Sequence, residues 1–131
     1  LTDKAYNVTT DLINSGTEFN YIFANNDMMA QGCYNALKDA GKENIPIVST
    51  GGSPDGFKML QDGIEAANMT APVSIQGVKT FMNLYNKVAL GEDPAEKFTA
   101  LPVIPVSADD TSSYIAWDDY AAAYKYLGEN K

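Results

Sequence analysis

Short apolar runs alternate with amphipathic stretches along the whole of this 131-residue chain, and that alternation limits the fold more than any single motif does. The spacing of Ala5, Val8, Leu12 and Ile13 predicts a helix over residues 3–14, stopped by Gly16. Residues 21–24 read as a short strand and residues 27–40 as a helix closed by Gly41. Residues 46–50 form a strand that is apolar until its end, as in a sheet covered on both faces. Ser53-Pro54-Asp55 then starts a helix: serine caps, proline fits the first helical position, and an early acid meets the positive helix end. This helix runs to about Gln61 and stops at Gly63. Residues 65–69 make a weak strand. Residues 73–90 make a long helix closed by Gly91, with Ile75, Val78, Phe81, Met82, Tyr85 and Val88 expected inward. Prolines interrupt residues 101–106, which favours an edge or crossover strand, because proline cannot donate to a ladder. Residues 117–127 end the chain as a helix with Tyr120, Tyr124 and Leu127 on one face.

Strand and helix in turn predict an α/β fold, a three-layer αβα sandwich on a mostly parallel sheet. Right-handed crossovers place the C-terminal ends of the strands along one edge, and ligands of such sheets bind in the crevice there. The loops leaving the first three strands begin at Asn25, Gly51 and Thr70, so all three belong on that rim. The length suits a single domain, 1–131, with residues 107–131 as an extension carrying the short last helix.

The residue types that are missing narrow what such a rim can do. All nine basic residues are lysines, and the chain has neither arginine nor histidine. The usual general base, the commonest metal ligand and the bidentate anion clamp are therefore all absent. The single cysteine, Cys33, cannot pair within the chain and has no histidine to activate it. With Met29, Leu37 and Ala40 at helical spacing around it, Cys33 reads as a small buried hydrophobe. The net charge of −8 would repel phosphate backbones, which argues against nucleic acid as a partner. Asp109-Asp110 and Asp118-Asp119 read as solvated turns and helix caps rather than a metal loop, and the sequons at Asn7 and Asn68 are short enough to arise by chance. No run approaches the roughly 20 apolar residues that span a bilayer. No signal peptide is visible at Leu1, so any export signal is expected upstream. No catalytic residue, cofactor or metal is expected, and the chain reads as a non-enzyme.

Three stretches resemble one family. YIFANNDMMAQGCYNALKDAG looks like a strand–helix unit of the type 1 periplasmic sugar-binding proteins, with an Asn-Asp pair at the strand end. IPIVSTGGSPDGFKMLQDG is similar to the next unit, where a glycine-rich turn meets a Pro-Asp-Gly helix start. IEAANMTAPVSIQGVKTFMNLYNKVALGE is similar to the third, with its helix ending in Lys-Val-x-x-Gly-Glu. The likeness covers about residues 19–106 and is closest to the ribose-binding type. Proteins of this family are more than twice as long and close two lobes around a ligand. The resemblance implies an incomplete C-terminal lobe, lacking its first strands.

The family's ligand positions carry over one at a time. Asn26 matches an asparagine that hydrogen-bonds sugar hydroxyls, and an amide suits a hydroxyl because both donate and accept. Asp27 is expected to cap the following helix, leaving Asn26 to point into the cleft, with Asn25 beside it. Where the family places an aspartate that accepts two hydroxyls, this chain has Gly51. An unpaired buried hydroxyl costs about 1–3 kcal/mol, so this departure weighs against an ordinary pentose or hexose. The amides of Gly51 and Gly52 could instead receive a ligand carboxylate or hydroxyl. A third position, glutamine in many relatives, falls near Thr70 or Ala71, with Asn68 and Thr70 the nearest polar candidates; Gln76 is expected on the helix surface.

The resemblance implies the substrate-binding component of a bacterial ABC importer, extracytoplasmic either in the periplasm or as a membrane-anchored lipoprotein. It would bind a sugar or similar small polar solute between lobes and be recognised by an ABC permease. The effector-binding core of a lactose-repressor-type regulator is the alternative, since it shares the architecture. A truncated lobe is also expected to self-associate through its open edge and bare apolar surface.

Overall fold

The computed structural model describes residues 1–71, 73–94, 96–98, 100–101 and 103–129. Pro102, within the expected last strand, and Asn130 and Lys131, at the end of the expected extension, lie outside the described residues. The elements follow the predicted alternation: α1 (Thr2–Asn14), β1 (Ile22–Ala24), α2 (Asp27–Asp39), β2 (Ile47–Gly51), α3 (Pro54–Gln61), β3 (Glu65–Thr70), α4 (Val73–Tyr85), β4 (Ile104–Ser107) and α5 (Tyr120–Glu129). Local chemistry sets most of these limits. Ser53 caps α3 by accepting from Gly56 N–H, with Pro54 at the first position. Gly16, Gly41, Gly63 and Gly91 end helices in the left-handed region that glycine adopts freely. The expected long helix over 73–90 is α4 followed by a π-helical turn at Asn86–Leu90.

The strands pair in the order β1-β2-β3-β4. β1, β2 and β3 are parallel, while β4 runs antiparallel to β3, pairing Thr70 with Ile104 and Ala67 with Ser107. The fold is thus mixed α/β on a mostly parallel sheet. β4 is an edge strand, consistent with its exposed Pro105.

Strand alternation gives the sheet two unequal faces. Ala24 and Ser49 are register partners, as are Ser49 and Asn68, and all three are buried. They lie in the layer where Ala30, Cys33 and Leu37 of α2 pack with Ile47 and Met59. Cys33, 7% exposed, sits in that core as a small hydrophobe. On the other face Phe23 is 61% and Met69 37% exposed, so the second helical layer does not cover them. Smaller clusters join Leu60 with Val106 and Tyr114, and Ile75 with Ile115 and Ala123.

Several inward faces differ from the periodicity. Ala5 and Ile13 of α1 pack on the core, whereas Val8 and Leu12 are exposed. Of the six side chains expected inward on 73–90, Ile75 is buried and Val78 half-buried, while Phe81, Met82, Tyr85 and Val88 are exposed. On α5, Ala123 is buried and Leu127 packs beside it, but Tyr120 and Tyr124 face solvent. Periodicity reports which residues share a stripe, and the stripe is buried only where another element meets it.

Candidate functional site

The site is built on the Asn26-Asp27 pair, in which Asn26 and not Asp27 caps the helix. Asn26, in extended backbone, is the N-cap of α2: its Oδ1 accepts from Met29 N–H at 2.9 Å. Asp27 turns inward and is 4% exposed. Its Oδ2 accepts from Ser53 N–H at 2.8 Å, and its Oδ1 accepts from Asn68 Nδ2 at 2.7 Å and Ser49 Oγ at 3.1 Å. The expectation that Asp27 caps is therefore corrected, because a buried carboxylate needs several donors and this one finds them on β2, β3 and the start of α3.

Two glycines make room for it. A Cβ at Gly51 would stand 2.5 Å from the Asp27 carboxylate, and one at Gly56 2.7 Å from it. The glycine that stands where the resemblance implies an aspartate thus has a local reason. Gly52 has φ +99° and is buried, a conformation that other residues rarely take.

Beneath this turn lies a second carboxyl group. Glu65 is fully buried, with Ser49 Oγ 2.8 Å from its Oε1 and Asn68 Nδ2 3.0 Å from its Oε2. Burial pushes its pKa up to about 7, against the pull of hydrogen bonds from Asn68 and Ser49 and with the Asp27 charge adding to the rise. Tyr114 closes the network, its hydroxyl donating to Ser53 O at 2.7 Å. Burial, then the charges of Asp27 and Glu65, push the Tyr114 hydroxyl up from its ordinary pKa.

The predicted positions sort into three places. Asn26 and Gly51 line one groove of about 550 Å³ that opens at the C-terminal ends of β1 and β2, with Met28, Ser53 and Trp117, and runs along α2 and α3 to Ile64. Asn25 is exposed but lines a different hollow, with Val8, Leu12 and Phe23 beside α1 and β1. Asn68 and Thr70 lie under the rim, each 0% exposed. The Asn68 amide nitrogen is taken by Asp27, Ser49 and Glu65, and Thr70 Oγ1 donates to Ile104 O at 3.0 Å. Strand alternation turns both side chains inward, so in this chain the two expected ligand contacts are buried beneath the groove and not open on it. Gln76 is exposed on α4.

Trp117 was not anticipated. Its Nε1–H donates to Gly51 O and its backbone N–H to Gly52 O, both at 3.2 Å. The contact spans 66 positions in the chain, and no local pattern announces it. The only available signal was that the chain's single tryptophan stands outside the resembling stretches.

The sequence model of the periplasmic binding protein domain matches residues 1–93. The chain belongs to the periplasmic binding protein family. Among curated members, it is 35% identical over 98 residues to the ribose import binding protein of Escherichia coli (strain K12), covering 72% of this chain and 32% of that protein. It is 37% identical over 62 residues to the xylitol-binding protein of Mycolicibacterium smegmatis, covering 47% of this chain and 18% of that protein. This periplasmic binding protein chain thus spans about a third, or less, of the curated relatives it matches. Among solved structures, an ABC transporter solute binding protein from Bacillus halodurans with bound myo-inositol superposes with a TM-score of 0.79 at 23% identity, over 92% of this chain and 40% of that one. A galactofuranose binding protein superposes with a TM-score of 0.73 at 26% identity, over 97% of this chain and 42% of that one.

Proposed function

We propose that this chain forms one jaw of a two-lobe solute receptor that hands a sugar or similar polyol to an ABC permease outside the cytoplasm, without chemical change. The observation that carries the reading is the groove at the strand ends, which brings Asn26 and the Gly51–Ser53 turn together. Oδ1 of Asn26 is committed to the helix cap. Its Nδ2 remains to donate to a solute oxygen. The curated relatives are import and solute-binding proteins, which supports this reading over the regulator with the same architecture.

In this reading the second lobe supplies the opposing polar groups, and closure excludes water from the hydrogen bonds between them. The 131-residue chain alone then holds only part of the contacts. Calorimetry with D-ribose and with myo-inositol is expected to give dissociation constants weaker than about 1 mM, equivalent to about 4 kcal/mol of binding. Micromolar binding by this chain alone would overturn the two-lobe reading.

A further inference from the structure

Every carbonyl of the Gly51–Ser53 turn already has a partner. Gly51 O accepts from Ala71 N–H at 3.0 Å and from Trp117 Nε1–H at 3.2 Å. Gly52 O accepts from Trp117 N–H, and Ser53 O from Phe57 N–H and the Tyr114 hydroxyl. Asp27, 4% exposed, spends its carboxylate on Ser49, Ser53 and Asn68. Gly51 O and Ser53 O are doubly paired, and Gly52 O keeps one lone pair on a buried residue, so the turn offers a solute little acceptor capacity.

What it offers instead is a ring. Trp117 is 44% exposed, and two hydrogen bonds from the same residue hold it against the turn. It lines the groove that contains Asn26. An oriented indole presents an apolar face with a fixed quadrupole, suited to C–H groups. The groove's open acceptors include the side chains of Gln31 and Asp55, on α2 and α3; hydroxyls placed against the ring itself would lose water without gaining one.

Resting on the receptor reading above, we propose that Trp117 is a specificity-determining residue. It selects a ring solute that turns C–H or methyl groups, rather than a hydroxyl pair, toward the Gly51 turn while an oxygen accepts from Asn26. The favoured class is deoxy sugars.

Nuclear magnetic resonance on the 131-residue chain tests this, because one tryptophan gives one indole N–H resonance. The probes are two matched pairs, D-galactose with D-fucose and D-ribose with 2-deoxy-D-ribose. The Trp117 indole and Asn26 side-chain amide resonances are expected to shift along one saturation curve. In at least one pair the deoxy sugar should bind about fivefold more tightly or better, the lower end of what an unpaired hydroxyl costs. Trp117→Ala should abolish that preference, and the wild-type resonances carry the test even where the variant does not fold. If the Asn26 amide moves and the indole does not, the Trp117 inference is overturned and the receptor reading stands. The inference also falls, with the receptor reading intact, if both pairs bind equally or if Trp117→Ala keeps the preference. No movement at either resonance with any of the four sugars overturns the Trp117 inference and leaves the two-lobe reading, which expects weak binding by this chain alone, in place.

Discussion

Asp27 and its surroundings carry the residue-scale chemistry. A carboxylate that reaches Ser49, Ser53 and Asn68 makes the space above it unavailable, and Gly51 and Gly56 keep that space clear. Restoring the aspartate that the resemblance implies, by Gly51→Asp, is expected to destabilise the fold by about 1–3 kcal/mol through overpacking alone. Repulsion between like charges adds to that cost; a shift of the urea midpoint reads the sum. Glu65 gives a pH signature. It keeps its proton to about pH 7 when folded, against an ordinary value of 4.5. Folding therefore holds a proton through that window. The stabilising share is complete below 4.5 and is lost as pH rises through 7. Glu65→Gln stays neutral, so it should leave stability unchanged near pH 4 and raise it at pH 8, by up to about 3 kcal/mol. Denaturation midpoints across that range check the sign. The placement of Asn26 and Gly51 at the strand ends was legible from the sequence, because the short strands 22–24 and 47–51 finish there. The inward turn of Asp27 was not, since its donors come from residues 22 to 41 positions away.

Helices and strands were more readable than their faces. Caps and glycine stops act within one turn of chain, so the limits of α2 and α3 follow from Asn26, Ser53, Gly41 and Gly63. Which stripe is buried depends on what arrives from elsewhere. α4 carries an apolar stripe, yet among its described residues only Ile75 finds a full partner surface, in Ile115 and Ala123. The exposed part of α4 and the π-helical turn after it, 66% for Phe81 and 76% for Val88, contributes little to the stability of this chain. Phe81→Lys is accordingly expected to change stability by no more than about 0.5 kcal/mol, measured by thermal or chemical denaturation. A loss above 2 kcal/mol would mean that Phe81 is packed in solution.

At the scale of the molecule, apolar surface remains bare at several places among the described residues. Phe23 and Tyr21, 61% and 66% exposed, flank the unpaired side of β1, and Phe81, Tyr85 and Val88 stand out from the 73–90 region. Surfaces of this kind favour association. Sedimentation of the 131-residue chain is expected to show a mass that grows with concentration, and a constant monomer mass at high concentration would contradict it. The Asp27 anchor has a mechanical corollary. One carboxylate pins the start of α2 to β2, β3 and the start of α3, so the mouth of the groove can tilt only as a stiff plate. On the receptor reading proposed above, an incoming solute need not spend free energy organising this side of its berth, and the entropic toll of capture falls on whatever surface closes over it.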